Sequence, residues 1–186
     1  MERIVLFVLI HAFLTFLVHH QGRSFYQSRV DKCASPKVYD IGHKVLPDWS
    51  RSRLANVTND AMALLPFVLA YVWNLPDYYR LFAFVLAIRW VTTLVTILPK
   101  HKHCDDAVGL APSNYLFGHC YDKVFSGHFS ASLLMALLLY RNGNRVPAWA
   151  LVAYQVVHAL LIISVRSHYT IDLLVSVFVV MAILTR

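Results

Sequence analysis

Two short segments hold residue types that can make and break a bond to phosphorus. In the first, Phe125-Ser126-Gly127-His128, small residues lead into an apolar run. The free N–H groups and positive dipole end of a helix start there favour a phosphate, with Ser126 and Gly127 at its edge, and His128 adds a proton donor. In the second, Arg166-Ser167-His168-Tyr169-Thr170-Ile171-Asp172, His168 and Asp172 stand four residues apart and share one helical face. A carboxylate so placed fixes the tautomer of His168, raises its basicity and stabilises its cation. Arg166 supplies a further positive charge two residues before the histidine. Two histidines and a carboxylate converging on a phosphate-sized gap point to phosphoryl transfer through a phosphohistidine. Either segment alone reads as well as a polar pair in a helix bundle; the two together favour chemistry.

The elements that must position these groups lie in a membrane. Of 186 residues, 58% are hydrophobic and 15% charged, and the mean hydropathy is +0.54; a soluble domain carries nearer a quarter charged residues. The net charge of +7 is scattered between apolar blocks, which excludes a nucleic-acid stripe. The length allows one domain, residues 1–186, without repeats or long linkers. Six apolar stretches (4–18, 55–73, 81–98, 124–140, 146–165 and 168–184) approach the length of a membrane-crossing helix. They predict an all-α, six-transmembrane helix bundle. Asn74-Leu75-Pro76-Asp77 and Arg141-Asn142-Gly143-Asn144 supply turn formers, so the second and third stretches, and the fourth and fifth, form hairpins. The polar segments 21–54 and 100–123 then share one side of the membrane, and His128 and His168 begin helices at that face. The first stretch is expected as a retained helix, because Val18-His19-His20-Gln21-Gly22 offers no small-x-small cleavage site.

Other ionisable residues are weighed against bland roles. Arg89 stands mid-way along the third stretch, where snorkelling to the interface is difficult, as a phosphate contact or as an ion pair with a residue such as Asp60. His101-Lys102-His103-Cys104-Asp105-Asp106 lacks a second half with zinc-like spacing, so neither metal nor cofactor is expected. Cys104 and Cys120 share one loop, and a bridge is plausible if that loop is lumenal. The sequon Asn56-Val57-Thr58 abuts the second helix, too close to the bilayer to be used.

Cys120-Tyr121-Asp122-Lys123-Val124-Phe125-Ser126-Gly127-His128 and His168-Tyr169-Thr170-Ile171-Asp172 resemble the two signature motifs of the sphingomyelin synthases, a branch of the type 2 phosphatidic acid phosphatase superfamily. Leu46-Pro47-Asp48 resembles their Pro-Leu-Pro-Asp motif, and the segment Arg89 to Pro99 their Arg-containing third helix. The resemblance implies a phosphatidic acid phosphatase type 2-like fold. It implies a multi-pass enzyme of the Golgi, endoplasmic reticulum or plasma membrane that moves phosphocholine from a phospholipid donor to a lipid-alcohol acceptor. It also implies roles: His168 attacks phosphorus, Asp172 orients it, and His128 exchanges a proton with the departing and arriving alcohols. Asp60 stands near a family Glu and would hold a histidine, and Asp122 falls within the first motif, beside the substrate. In the family the site faces the lumen or exterior, whereas the excess of Lys and Arg on the long-loop side favours the cytosol; the family orientation is preferred.

The sequence departs from the family at Arg166, which resembles the plant phosphatidylcholine:diacylglycerol cholinephosphotransferases instead. Ceramide is the expected acceptor and diacylglycerol the alternative. A hydrolase releasing phosphate or phosphocholine to water is a weaker match, because Ile162 stands where the phosphatases carry Arg. A non-enzymatic lipid-binding protein is a further alternative, and homo-oligomerisation is left open.

Overall fold

The computed structural model describes residues 2–30, 38–100, 104, 120–121 and 123–185. In chain order the helices are α1 (Glu2–Val30), α2 (Ile41–Val45), α3 (Arg53–Val72), α4 (Pro76–Val95), α5 (Gly127–Arg141), α6 (Arg145–Ser164) and α7 (Thr170–Leu184). No strand occurs among the described residues, which are all-α as expected. Each apolar stretch becomes a helix, and α2 is an addition. The six-span count is not reproduced as six full-length spans: among the described residues α3, α4 and α6, at 20 residues each, are the ones both long and apolar enough to cross a bilayer.

The difference arises mainly from α5 and α7, which have 15 residues each. At 1.5 Å per residue such a helix is about 22 Å long, against about 30 Å of hydrocarbon. α5 and α6 share a tight turn, closed where Gly143 adopts φ 80°, a conformation that costs glycine little. The start of α5 therefore falls roughly 7 Å short of the end of α6. His128 stands at that start and lines a recess in the bundle.

α5 is the axis of the bundle and packs on α3, α4, α6 and α7. Its buried Ser130, Ala131, Ser132 and Ala136 keep side-chain bulk small, which lets neighbouring backbones approach closely. Tyr78, Val85, Leu134, Met135, Leu139 and Val180 fill the core at the far end from the histidines. Pro66 inside α3 lacks the N–H that would pair with the Met62 carbonyl. The Tyr154 hydroxyl of α6 donates to that carbonyl instead, at 2.7 Å, so a helix defect becomes an interhelical tie.

α1 packs at the edge of the bundle against α4 and runs well beyond the apolar stretch, since Gln21, Arg23 and Ser24 interrupt hydrophobicity but not helix formation. Its buried stripe of His11, Thr15, Val18, His19 and Gly22 repeats at helical spacing. A Cβ on Gly22 would lie 2.4 Å from the Tyr121 ring, so only glycine allows this approach. Tyr26 stacks on Tyr121 with ring centroids 5.7 Å apart and donates its hydroxyl to Ile97 O. The neighbouring Cys120 forms a disulfide with Cys104. His101, Lys102, His103, Asp105, Asp106 and Asp122 lie outside the described residues.

Candidate active site

The start of α7 is fixed from both sides. Asp172, only 1% exposed, accepts with one oxygen from the Tyr169 backbone N–H at 2.9 Å and lies 3.1 Å from His168 Nδ1. A carboxylate accepts only, so Nδ1 carries the proton and the Nε2 lone pair is left for attack. The residues before the helix bend sharply: Arg166 adopts φ 61°, a left-handed conformation rare outside glycine.

From outside the bundle, residues 38–50 cross this helix start as a strap. Asp40 accepts from Thr170 N at 2.7 Å and from Thr170 Oγ1 at 2.9 Å, so a residue 130 positions away caps α7. Asp40 also accepts from His43 N and starts α2. His43 Nε2 donates to the carbonyl of His168 at 2.9 Å. Burial alone would raise the Asp40 carboxyl, but the hydrogen bonds from His43 and Thr170 outweigh it and hold the group below its ordinary value. Burial pushes the His43 imidazole down, against the opposing effect of its bond to the His168 carbonyl.

Arg166 fastens the strap. It donates from Nη1 to Ile163 O at 3.1 Å and from Nη2 to His43 O and Leu46 O at 3.0 Å each, and Asp48 lies 3.8 Å from Nε. Trp49 N donates to Ser164 O. The guanidinium is thus spent on ordering residues 43–48. Lys123 donates from Nζ to Arg166 O at 2.8 Å, and its own carbonyl lies 3.4 Å from His168 Nδ1.

The start of α5 is built differently. Ser126 caps it by accepting from Phe129 N, while its own N–H donates to Ser176 Oγ of α7 at 3.1 Å. Gly127 packs against Arg89, whose Nε donates to Phe125 O at 3.0 Å. Arg89 therefore braces the turn into α5. Asp60, on α3, approaches His128 Nε2 to 3.5 Å, an ion-pair separation longer than a formed hydrogen bond. His168 and Arg89 both lie close to His128. Ser126, Gly127, His128, Arg89, Asp60, His168 and Asp172 thus gather at one end of the bundle.

From His128 and Arg89 a cavity of about 260 Å³ runs along Leu64, Phe67, Phe82 and Leu86. One end is polar and holds a candidate catalytic histidine; the rest accepts hydrocarbon. Among the described residues no group of three His, Cys, Asp or Glu side chains is arranged to hold a metal ion.

The sequence analysis did not single out Asp40, His43, Lys123, Asn59 or His158 as site residues. The first three contact the nucleophilic segment across long stretches of chain, and the last two sit in apolar helices beside Asp60 and His128.

Residues 119–185 match the family described as PAP2 superfamily C-terminal. The chain is similar to the phosphatidylinositol:ceramide inositolphosphotransferase of Oryza sativa subsp. japonica, 24% identical over 182 residues that cover 78% of this chain and 54% of the relative. It is also similar to the phosphatidylinositol:ceramide inositolphosphotransferase of Trypanosoma cruzi (strain CL Brener), 25% identical over 187 residues that cover 92% of this chain and 52% of the relative. The chain spans about half the length of the curated relatives it matches. No solved structure matches it.

Proposed function

We propose that the chain transfers a phosphorylated alcohol head group from a glycerophospholipid to ceramide, in two steps through a phosphohistidine on His168. The observation that carries this reading is the pair His168 Nδ1 and Asp172, 3.1 Å apart, which leaves the Nε2 lone pair as a nucleophile. In the first step the Nε2 lone pair attacks phosphorus, the bond from phosphorus to the diacylglycerol oxygen breaks, and His128 gives that oxygen a proton. In the second step His128 takes the proton of the ceramide hydroxyl, whose oxygen attacks phosphorus. The phosphorus–nitrogen bond then breaks and its electron pair returns to His168. One acid/base serves both steps, as microscopic reversibility requires.

The charge on the transferring phosphoryl group is met by the start of α5 and by Arg89 and Lys123. The start of α7 contributes less, because Asp40 already accepts from the Thr170 N–H there. The apolar cavity suits the chains of a lipid alcohol better than bulk water, which favours transfer over hydrolysis. The names of the similar proteins support ceramide as acceptor and make phosphoinositol the first donor head group to test, ahead of the phosphocholine expected from the sequence. The Cys104–Cys120 disulfide supports a recess open to an oxidising compartment, hence a lumenal or exoplasmic site.

The reading is tested by reconstituting the full chain in vesicles containing phosphatidylinositol or phosphatidylcholine. Labelled ceramide, diacylglycerol or no acceptor is added, and the products are identified. Inositolphosphoceramide or sphingomyelin supports it. Release of the free phosphorylated head group as the main product contradicts it.

A further inference from the structure

Beside His128, two polar side chains are buried among apolar helices without hydrogen-bond partners for all their atoms. His158 of α6 is 0% exposed, and neither ring nitrogen has a partner. Asn59 of α3 is 2% exposed, and its Oδ1 has none. Its amide makes a long contact of 3.4 Å to Asp60. The ring of His158 lies 6.4 Å from that of His128, centroid to centroid, with the Asn59 backbone carbonyl and Asp60 nearby, the carbonyl outside hydrogen-bond geometry. Tyr154, the donor that repairs the Pro66 break, packs against its other side at 5.8 Å.

A buried donor or acceptor without a partner costs about 1–3 kcal/mol, and such groups persist where a ligand or water completes them. Here three unmet atoms on two helices flank the group that handles the acceptor's proton. A neutral imidazole offers one donor and one acceptor, and an amide oxygen offers an acceptor. A hydroxyl both donates and accepts, so one hydroxyl satisfies Asn59 Oδ1 and one His158 nitrogen together. The reacting hydroxyl is engaged by His128, so the complement is a second hydroxyl a few ångströms along the same molecule.

We propose that Asn59 and His158 form a recognition site for a second hydroxyl on the acceptor lipid, two carbons from the one that reacts, and so select a long-chain amino diol such as ceramide over diacylglycerol, which lacks it. This rests on the transfer reading for the identity of His128's partner, but the site can be tested without turnover. A site built to hydrogen-bond a hydroxyl rejects the analogue without it, because its own buried groups are then left unpaired.

The experiment uses the full chain carrying His168→Ala, which holds the acceptor but cannot turn over. Binding of fluorescent ceramide and of its 3-deoxy analogue is measured in nanodiscs. A preference of roughly tenfold or more for ceramide is expected. Adding His158→Phe, or separately Asn59→Leu, brings the two affinities within about twofold, while His158→Gln, which keeps a donor and an acceptor, restores part of the gap. Either apolar variant suffices if the other fails to fold. Equal affinity in the parent, or an undiminished preference in both apolar variants, overturns the proposal. Should the parent discriminate while the wild-type chain transfers no head group, the recognition site stands and the transfer reading falls.

Discussion

The two histidines begin two helices of equal length at one end of the bundle, yet they are held very differently. His168 is fixed by its own helix through Asp172 at 3.1 Å, by His43 at its carbonyl and by Asp40 across the next residue. His128 lies 3.5 Å from a carboxylate on another helix, lines a cavity and has the His158 ring beside it. The contrast matches two tasks. A nucleophile must present one lone pair along one line, and errors of an ångström cost large factors in rate. A proton exchanger that serves a departing alcohol and then a different arriving one gains from latitude.

The largest effect that separates the two ends is expected at Asp172. Asp172→Asn removes the negative charge and, with its amide oxygen kept by the Tyr169 N–H, turns an N–H donor toward His168 Nδ1, so the tautomer lock is lost and kcat should fall by about 10³-fold or more. Asp60→Asn, acting on the looser histidine, should cost about 10- to 100-fold. Steady-state kinetics on folded, reconstituted variants checks both, and equal losses would erase the distinction between a locked and an adaptable histidine.

A smaller loss is expected from the strap. A Cβ on Gly42 would meet Thr170 Oγ1 at 2.5 Å and Ile163 Cγ2 at 2.8 Å, so Gly42→Ala must push residues 40–43 off the start of α7. A several-fold fall in kcat with little change in KM is the signature of a disturbed nucleophile, with a stability loss of about 1–3 kcal/mol. An unchanged kcat would show that the strap does not position His168.

The smallest effect concerns pH. The His43 imidazole is depressed from its ordinary 6.5 by burial, so the folded strap binds fewer protons than the free chain. Its docking is complete above about pH 6.5 and weakens as pH falls through the lower folded value. Asp40, held below 3.8 by its hydrogen bonds despite burial, keeps its capping charge until more acid conditions and then loosens the strap in the same direction. The protection factors of the residue 41–46 amides, each taken against the intrinsic exchange rate at its own pH, should therefore fall between pH 7.5 and pH 5.5. His43→Gln, which keeps a donor for the His168 carbonyl, should abolish that change.

The readable part of this site is the part written locally. His168 and Asp172 are one helical turn apart, and Ser126, Gly127 and His128 form a helix start, so spacing and residue type sufficed to bring them forward. Asp60 was legible as a charge inside an apolar stretch, with Arg89 or, through the family resemblance, a histidine as its partner, and it lies 3.5 Å from His128 Nε2. The strap was not legible, because Asp40 and His43 meet α7 across 130 and 125 residues, and nothing local marks a contact of that range. Arg166 looked like a phosphate ligand, but its left-handed backbone turns the guanidinium toward the carbonyls of His43 and Leu46. His158 and Asn59 stand in apolar helices, where a lone polar residue is indistinguishable by pattern from a satisfied core residue. The six long helices followed from hydropathy, whereas the short α2 and the helix lengths did not: α1 continues through polar residues, and α5 and α7 have 15 residues each.

The central claim is that His168 carries the phosphoryl group between donor and acceptor. It is tested most directly by incubating the full chain with phosphatidylinositol labelled at phosphorus, without acceptor, quenching in base and mapping the label by mass spectrometry. An acid-labile phosphoinositol adduct on His168, joined through a phosphorus–nitrogen bond, absent from His168→Ala and discharged on addition of ceramide, is the predicted result. Label transfer to ceramide by the His168→Ala protein at an undiminished rate would contradict the account.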